Sequence, residues 1–388
     1  MMNDVSGTTS GNAAPAGCGA CVRLFLCGDV MTGRGIDQIL PHPGRPHLYE
    51  RWVRSAIGYV ELAERATGPM QRPVDHAYPW GDALAVLDHF QPDARIVNLE
   101  TAVTTCEDAQ PGKGIHYRMH PANVPCLTSA RLDCCVLANN HVLDWGCAGL
   151  DETLAVLRGA GLLTAGAGRD ETQAAAPAVI RLARGGRVLV FAYATATSGV
   201  PADWAAAAGR AGVSFLPDIS ARAADRVAGQ TAAIRCAGDI LVVSLHWGGN
   251  WGLDISHQER AFAHRLIDAG GADIVYGHSS HHVKGIEVYR ERLVLYGCGD
   301  FLNDYEGIGG HQTYRPDLAL MYFPLVDAAT GALRALSAVP MQIRHFRLHR
   351  APEEGVAWLH AALDQEGGKQ GTHVIRAADD TLALRWNG

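Results

Sequence analysis

A layered α/β fold, with central mixed β-sheets flanked by helices, is predicted by three observations. Short, nearly unbroken apolar runs recur at residues 23–27, 95–97, 134–138, 187–193, 240–245 and 274–276, and such runs read as strands buried on both faces. Helical stretches alternate with them, which argues for parallel strands covered by helices. Acidic, amide and imidazole side chains follow the runs directly, where open α/β sheets place their sites.

In chain order, residues 1–20 are small, polar and Gly-rich and lack both the basic and the apolar segment of a secretory signal. A disordered tail is therefore expected over 1–21. One main domain is predicted over 22–350, since no repeat or low-complexity tract interrupts the series. Its helices are expected at 61–66, 83–89, 148–160, 221–235 and 257–269, the last stopped by Gly270-Gly271. Further strands are expected at 293–296, 318–323 and 336–342. Residues 351–388 read as an extension holding a helix and a hairpin of 372–376 and 381–386.

With 48% hydrophobic and 19% charged residues, the chain can bury a sizeable core. A net charge of -7 leaves no basic surplus for a phosphate backbone, so no nucleic-acid partner is expected. No apolar run reaches the roughly 18 residues that a spanning helix needs, so no membrane segment is predicted and the cytoplasm is the expected compartment. The ten cysteines read as reduced, and Cys18-x-x-Cys21, lacking a second pair, as a weak case for a zinc or redox role.

Asp29 closes the first apolar run, and a carboxylate there is costly to bury unless paired or metal-bound; a helix N-cap is the alternative. Glu100 repeats the arrangement after 96–99. Asn140 and His141 follow 134–138, and neutral oxygen and nitrogen donors complement carboxylates around a divalent ion, although a capped turn would also suit them. His246 ends 240–245, where a satisfied core histidine is the alternative. His278 and His281 stand three apart in a Gly/Ser-flanked loop, with His282 assigned to the surroundings. Together, five strand ends point to a metal centre. Asp29, Glu100, Asn140, His246, His278 and His281 are the expected ligands of two divalent ions, with Mn, Zn, Fe and Ca all admitted, and no organic cofactor is expected. His141 is kept beside the metals as an acid/base or anion contact.

The motif series GDVMTGR (28–34), NLET (98–101), ANNHVLDWG (138–146), LHWGGNW (245–251), GHSSHHVKGIEVY (277–289) and YGCGDFLND (296–304) resembles the CapA family, named for capsular poly-γ-glutamate synthesis. That family is similar to the calcineurin-like metallophosphoesterases. The likeness covers about residues 22–345 in order and implies a metallophosphoesterase-like fold, metal binding by the six residues above and an active-site role for His141. Position 31 is Met, where the metallophosphoesterases carry the histidine of Asp-x-His, so one metal lacks its usual ligand. Capsule-associated members tend to be membrane-anchored, and no anchor is predicted here.

Within the family the chain also resembles the soluble epimerase of lasso-peptide biosynthesis, which inverts the Cα of a C-terminal tryptophan. This resemblance implies a peptide substrate and two opposed acid/base groups, drawn from His141, His311 and Asp29. His311 lies in a Gly-rich segment able to serve as a lid. Trp247, Trp251 and Tyr305 are expected to wall the site, and Arg34, Arg118 and Lys284 to hold a carboxylate or phosphate. Metal-dependent peptide epimerisation is thus the main expectation. Its rival is a dinuclear-metal hydrolase of phosphoester or poly-γ-glutamyl bonds, and a third reading is a binding module with a structural metal, which so many mixed ligands disfavour.

Overall fold

A computed structural model describes residues 21–387 of the 388. The tail expected over 1–21 therefore lies outside the described residues except for Cys21, which opens the first strand.

Two large sheets form the body. The first has eleven strands, with Asp300–Leu302, Asp29–Val30, Ala94–Leu99, Cys21–Cys27, Leu318–Asp327, Leu333–Arg344, Leu382–Trp386 and Thr372–Arg376 in that order across it. Cys134–Val136 pairs with Ala94–Leu99 and carries Leu163–Ala165 in turn. Pairing is parallel among Cys21–Cys27, Ala94–Leu99 and Cys134–Val136, and antiparallel from Leu318–Asp327 onward. The second sheet has seven strands and is centred on the parallel set Arg187–Thr195, Asp239–His246, Ile274–His278 and Arg292–Leu295.

Strand parity decides what the second sheet touches, because alternate side chains leave opposite faces. Val188, Val190, Ile240, Val242, Ile274 and Tyr276 join the core shared with the first sheet. Leu189, Phe191, Leu241, Val243, Leu245 and Val275 enter a separate core with Val227, Phe262 and Leu266 of the helices Ala221–Ala232 and His257–Asp268. Each large side chain so buried contributes roughly 1.5–3 kcal/mol. His246 and His278 share the parity of Ile240 and Ile274, so both turn toward the first sheet. The helix between their strands is held by a capping box: Ser256 Oγ accepts from the Glu259 amide at 3.1 Å, and Glu259 Oε2 accepts from the Ser256 amide at 2.7 Å.

The layered α/β fold expected from the sequence is the one observed. Every expected strand and helix has a counterpart, with shifted ends. The helix expected at 61–66 runs Ile57–Thr67, because its start at Ala56 offers no capping side chain to mark it. Several short strands were not foreseen, and two of them, Asp29–Val30 and Asp300–Leu302, carry candidate site residues but are too short to show a run. The C-terminal hairpin is part of the first sheet, since Leu382–Trp386 pairs with Leu333–Arg344. Cys21 corrects the expectation of reduced thiols: it is disulfide-bonded and half-buried at the start of its strand, whereas the eight other described cysteines are free. Among the described residues no helix is long and apolar enough to cross a membrane.

Candidate metal centre

The chemistry-bearing side chains gather where the parallel strands of both sheets end. His246 and His278 are the last residues of their strands and stand in register with each other. Asp29 follows Gly28, a position that only glycine fits: a Cβ there would come 2.0 Å from Gly299 O. That close approach lets the Asp29 amide donate to Gly299 O at 2.9 Å and sets Asp29 opposite both Asn98 and Asp300. A bond from the Tyr276 hydroxyl to the Cys27 carbonyl ties the two sheets just beneath.

Donor atoms of Asp29, His246 and His278 all lie within 4.8 Å of one another. Glu100 Oε1 stands 3.9 Å from His246 Nε2, and Asn140 Oδ1 stands 3.0 Å from the same nitrogen. The outer contacts orient these groups. Ser244 Oγ meets His278 Nε2 at 2.6 Å, leaving Nδ1 to face His246, and Asn98 Nδ2 donates to Asp29 Oδ1 at 2.8 Å. His281 has Asp300 Oδ1 at 2.8 Å from Nδ1 and Asn250 Nδ2 at 3.1 Å from Nε2.

Without an ion, burial leaves Asp29, Glu100, His246 and His278 electrostatically unfavourable, as two carboxylates and two imidazoles that a dication would suit. Burial, then the charge of Asp300, pushes the Asp29 carboxyl up to about 6, while burial and Asp29 push Glu100 well up. Burial, then His278, pushes His246 well down, and burial takes His278 down to about 3. A divalent cation favours ionised carboxylates and neutral imidazoles together, so this donor set fits one. Burial also works against a charge on His281, but Asp300 outweighs it and holds that imidazole above its usual range.

His141 stands at the edge of the cluster. Its Nδ1 is 2.7 Å from Asp144 Oδ2, and its Nε2 is 3.8 Å from Glu100 Oε1. Burial works to raise Asp144, but His141 and Lys113 outweigh it and hold the carboxyl below its usual range. An ionised carboxylate only accepts, so Nδ1 carries the proton and Nε2 presents its lone pair to the metal cluster. Burial pushes His141 itself down to about 4. The Tyr117 ring packs perpendicular to the imidazole at 4.6 Å.

A crevice of about 330 Å³ opens on this array, walled by Glu100, Asn140, His141, His281, Tyr305 and Lys113 among others. Several residues expected at the substrate stand elsewhere, each for a visible reason. Arg34 is buried between Asp304, at 2.5 Å, and Glu50, at 3.0 Å. Arg118 donates to the carbonyls of Cys106 and Arg45, and Lys284 to that of Asp254. Trp247 is a core residue stacked on Tyr296. Exposed His311 stacks on Trp251 at 3.8 Å between centroids and does not line the crevice, so it does not face His141. Trp251 itself lies 5.4 Å from His281, and Tyr305 is in the wall.

Sequence reasoning passed over Asp300, Asp144, Ser244 and Lys113. Gly299-Asp300 repeats Gly28-Asp29, and Asp144 lies three residues past His141 within a motif already singled out, so those two were within reach. Lys113 sits in an irregular loop with no periodic signal.

Known proteins give a consistent comparison. The family described as bacterial capsule synthesis protein PGA_cap matches residues 23–305. A probable polyglutamine synthesis accessory protein of Mycobacterium tuberculosis is 47% identical over 364 residues, covering 94% of this chain and 96% of the relative. The capsule biosynthesis protein CapA of Bacillus anthracis is 25% identical over 327 residues, covering 83% and 68% respectively. A solved phosphatase of Mycoplasma pneumoniae aligns loosely, at 11% identity and a TM-score of 0.43 over 83% of this chain and 94% of that one.

Proposed function

Because the chain belongs to the PGA_cap family of bacterial capsule synthesis proteins, we propose that it is a metal-dependent hydrolase acting on γ-glutamyl amide bonds of a glutamate-rich chain. The observation that supports this most directly is His141, fixed by Asp144, aiming a free Nε2 at a cluster of mixed oxygen and nitrogen donors. The names of the relatives, which mention capsule and polyglutamine synthesis, support the substrate class.

Asp29, His246 and His278 would hold one divalent ion, with Glu100 and Asn140 beside them and His281 toward a second. Ions held there supply Lewis acidity toward the amide carbonyl. His141 accepts the proton of the attacking water at Nε2 and returns it to the leaving nitrogen, while Asp144 keeps the ring in the tautomer that allows both transfers. Bond cleavage thus yields a free γ-carboxylate and a free amine. Tyr117 and Tyr305, their hydroxyls 3.3 Å apart, line the crevice beside His141.

Cα epimerisation, the main expectation from the sequence, requires a second acid/base group facing His141. His311 lies on Trp251 instead, Asp29 stands among the donors proposed to hold the ion, and no relative described above is named for epimerisation, so hydrolysis is the better supported chemistry. The test is to incubate the manganese- or zinc-loaded protein with γ-glutamyl oligomers in deuterated water and read the products by mass spectrometry. New amino termini support the proposal. Deuterium at Cα with intact chains, or cleavage confined to a phosphoester, overturns it.

A further inference from the structure

We infer that Lys113 is the subsite for the α-carboxylate of the residue on the leaving side of the scissile bond. Among the described residues, Lys113 is the one lysine or arginine in the crevice wall. The other cations near the motifs do not line it: Arg34 lies between two carboxylates, and Arg118 and Lys284 donate to backbone carbonyls elsewhere. Lys113 Nζ is held by the Asn140 carbonyl and by Asp144 Oδ1, and stands 3.1 Å from His141 Nδ1. Since Nδ1 already donates to Asp144, it does not accept from Lys113. Two of the three ammonium N–H groups therefore have acceptors, and the third has only the Trp204 ring, 5.1 Å away, to compete with an anion in the crevice.

Position explains which anion it would read. In a γ-glutamyl chain the leaving nitrogen is bonded to the Cα that bears the α-carboxylate, so proton donor and carboxylate partner must stand side by side. Lys113 and His141 wall the same crevice, the ammonium standing against the Nδ1 edge of the ring whose Nε2 donates. The loop that delivers the lysine is flanked by Gly112, with φ 77°, and Gly114, and a Cβ at either glycine would meet open space. Such a loop can adjust the ammonium by small backbone changes without displacing a packed element. The site thus selects a leaving residue with a free α-carboxylate and disfavours one in which that group is amidated.

This inference rests on the hydrolytic reading, and its test separates the two. Kinetics of Lys113→Met and Lys113→Arg are measured on a γ-glutamyl trimer and on the same trimer amidated at the α-carboxyl of the leaving residue, with metal content read on each sample. The expected result is that Lys113→Met raises KM on the order of 10- to 100-fold more for the free acid than for the amide, as for loss of a charge-assisted hydrogen bond, on top of any fall in kcat common to both through Asp144, and that Arg partly restores the difference in KM. Equal losses on both substrates, carried by kcat, would reduce Lys113 to a support for Asp144 and overturn the inference. If the wild type cleaves neither substrate, the hydrolytic reading fails, and calorimetric binding of the free-acid trimer decides alone. Binding by the wild type at least tenfold tighter than by Lys113→Met upholds the subsite, and equal binding removes it.

Discussion

His246 and His278 face each other from the ends of neighbouring parallel strands, their Nδ1 atoms 2.9 Å apart. Two neutral imidazoles tolerate that distance only as a donor–acceptor pair, and Ser244 on the far nitrogen of His278 helps to set which is which. The arrangement lets an ion replace a single hydrogen bond.

His246→Ala and His278→Ala are expected to lose bound metal and, with it, activity. His141→Ala should keep its metal and lose on the order of 10²- to 10⁴-fold in kcat, the range for a general acid/base group. Metal content and turnover measured on the same preparations check this. An empty His141→Ala protein would move His141 into the ligand set.

Gly28→Ala is expected to separate Asp29 from Asp300, because its methyl group would collide with Gly299 O, a backbone atom unable to turn away. Metal affinity should fall together with stability. Gly68→Ala provides the contrast: its φ of 99° strains any side chain, but nothing lies within 4 Å, so it should cost stability alone. Thermal melts with and without added metal distinguish the two.

Asp300→Asn should keep the fold and weaken metal binding about 10- to 100-fold, as expected when the partner of a ring nitrogen loses its charge. Competition with a chelator of known strength measures this. An unchanged affinity would show that Asp300 acts only on Asp29 and His281 in the metal-free protein.

Metal affinity should fall as pH drops from 7 to 5. In the metal-free protein Asp29 titrates at about 6 and Glu100 is pushed well up, so below that pH an ion must displace protons from carboxylates. His278, pushed down to about 3, and His246, well below its usual range, add no competition in that window. Proton release on metal addition in weak buffer reads the effect directly, and an affinity flat from pH 5 to 7 would contradict it.

The layers were readable in advance because apolar runs mark buried strands, and the positions just past them carried the ligand candidates. Even the parity at 240, 242, 244 and 246 was available: Ile, Val and Ser on one side of the strand lead to His246 on the same side. What could not be read was commitment. Arg34 looks free in sequence, but its partners Glu50 and Asp304 come from opposite parts of the chain, and only the fold brings them to it. Lys113 was hidden for the same reason, since an irregular loop acquires its position from Asp144 and Asn140 rather than from a period of its own.

The pairing of Cys21–Cys27 with Leu318–Asp327, and of Asp29 with Asp300, has a consequence for the order of assembly. Cys21–Cys27 has one neighbour in Ala94–Leu99 and the other in Leu318–Asp327, far along the chain, so the latter contacts are among the most non-local in the fold. Asp29 cannot meet Asp300, nor His246 meet His278, until the strands that carry the later residue of each pair have been made. A nascent chain therefore has no finished place for an ion, and loading with metal follows completion of both sheets.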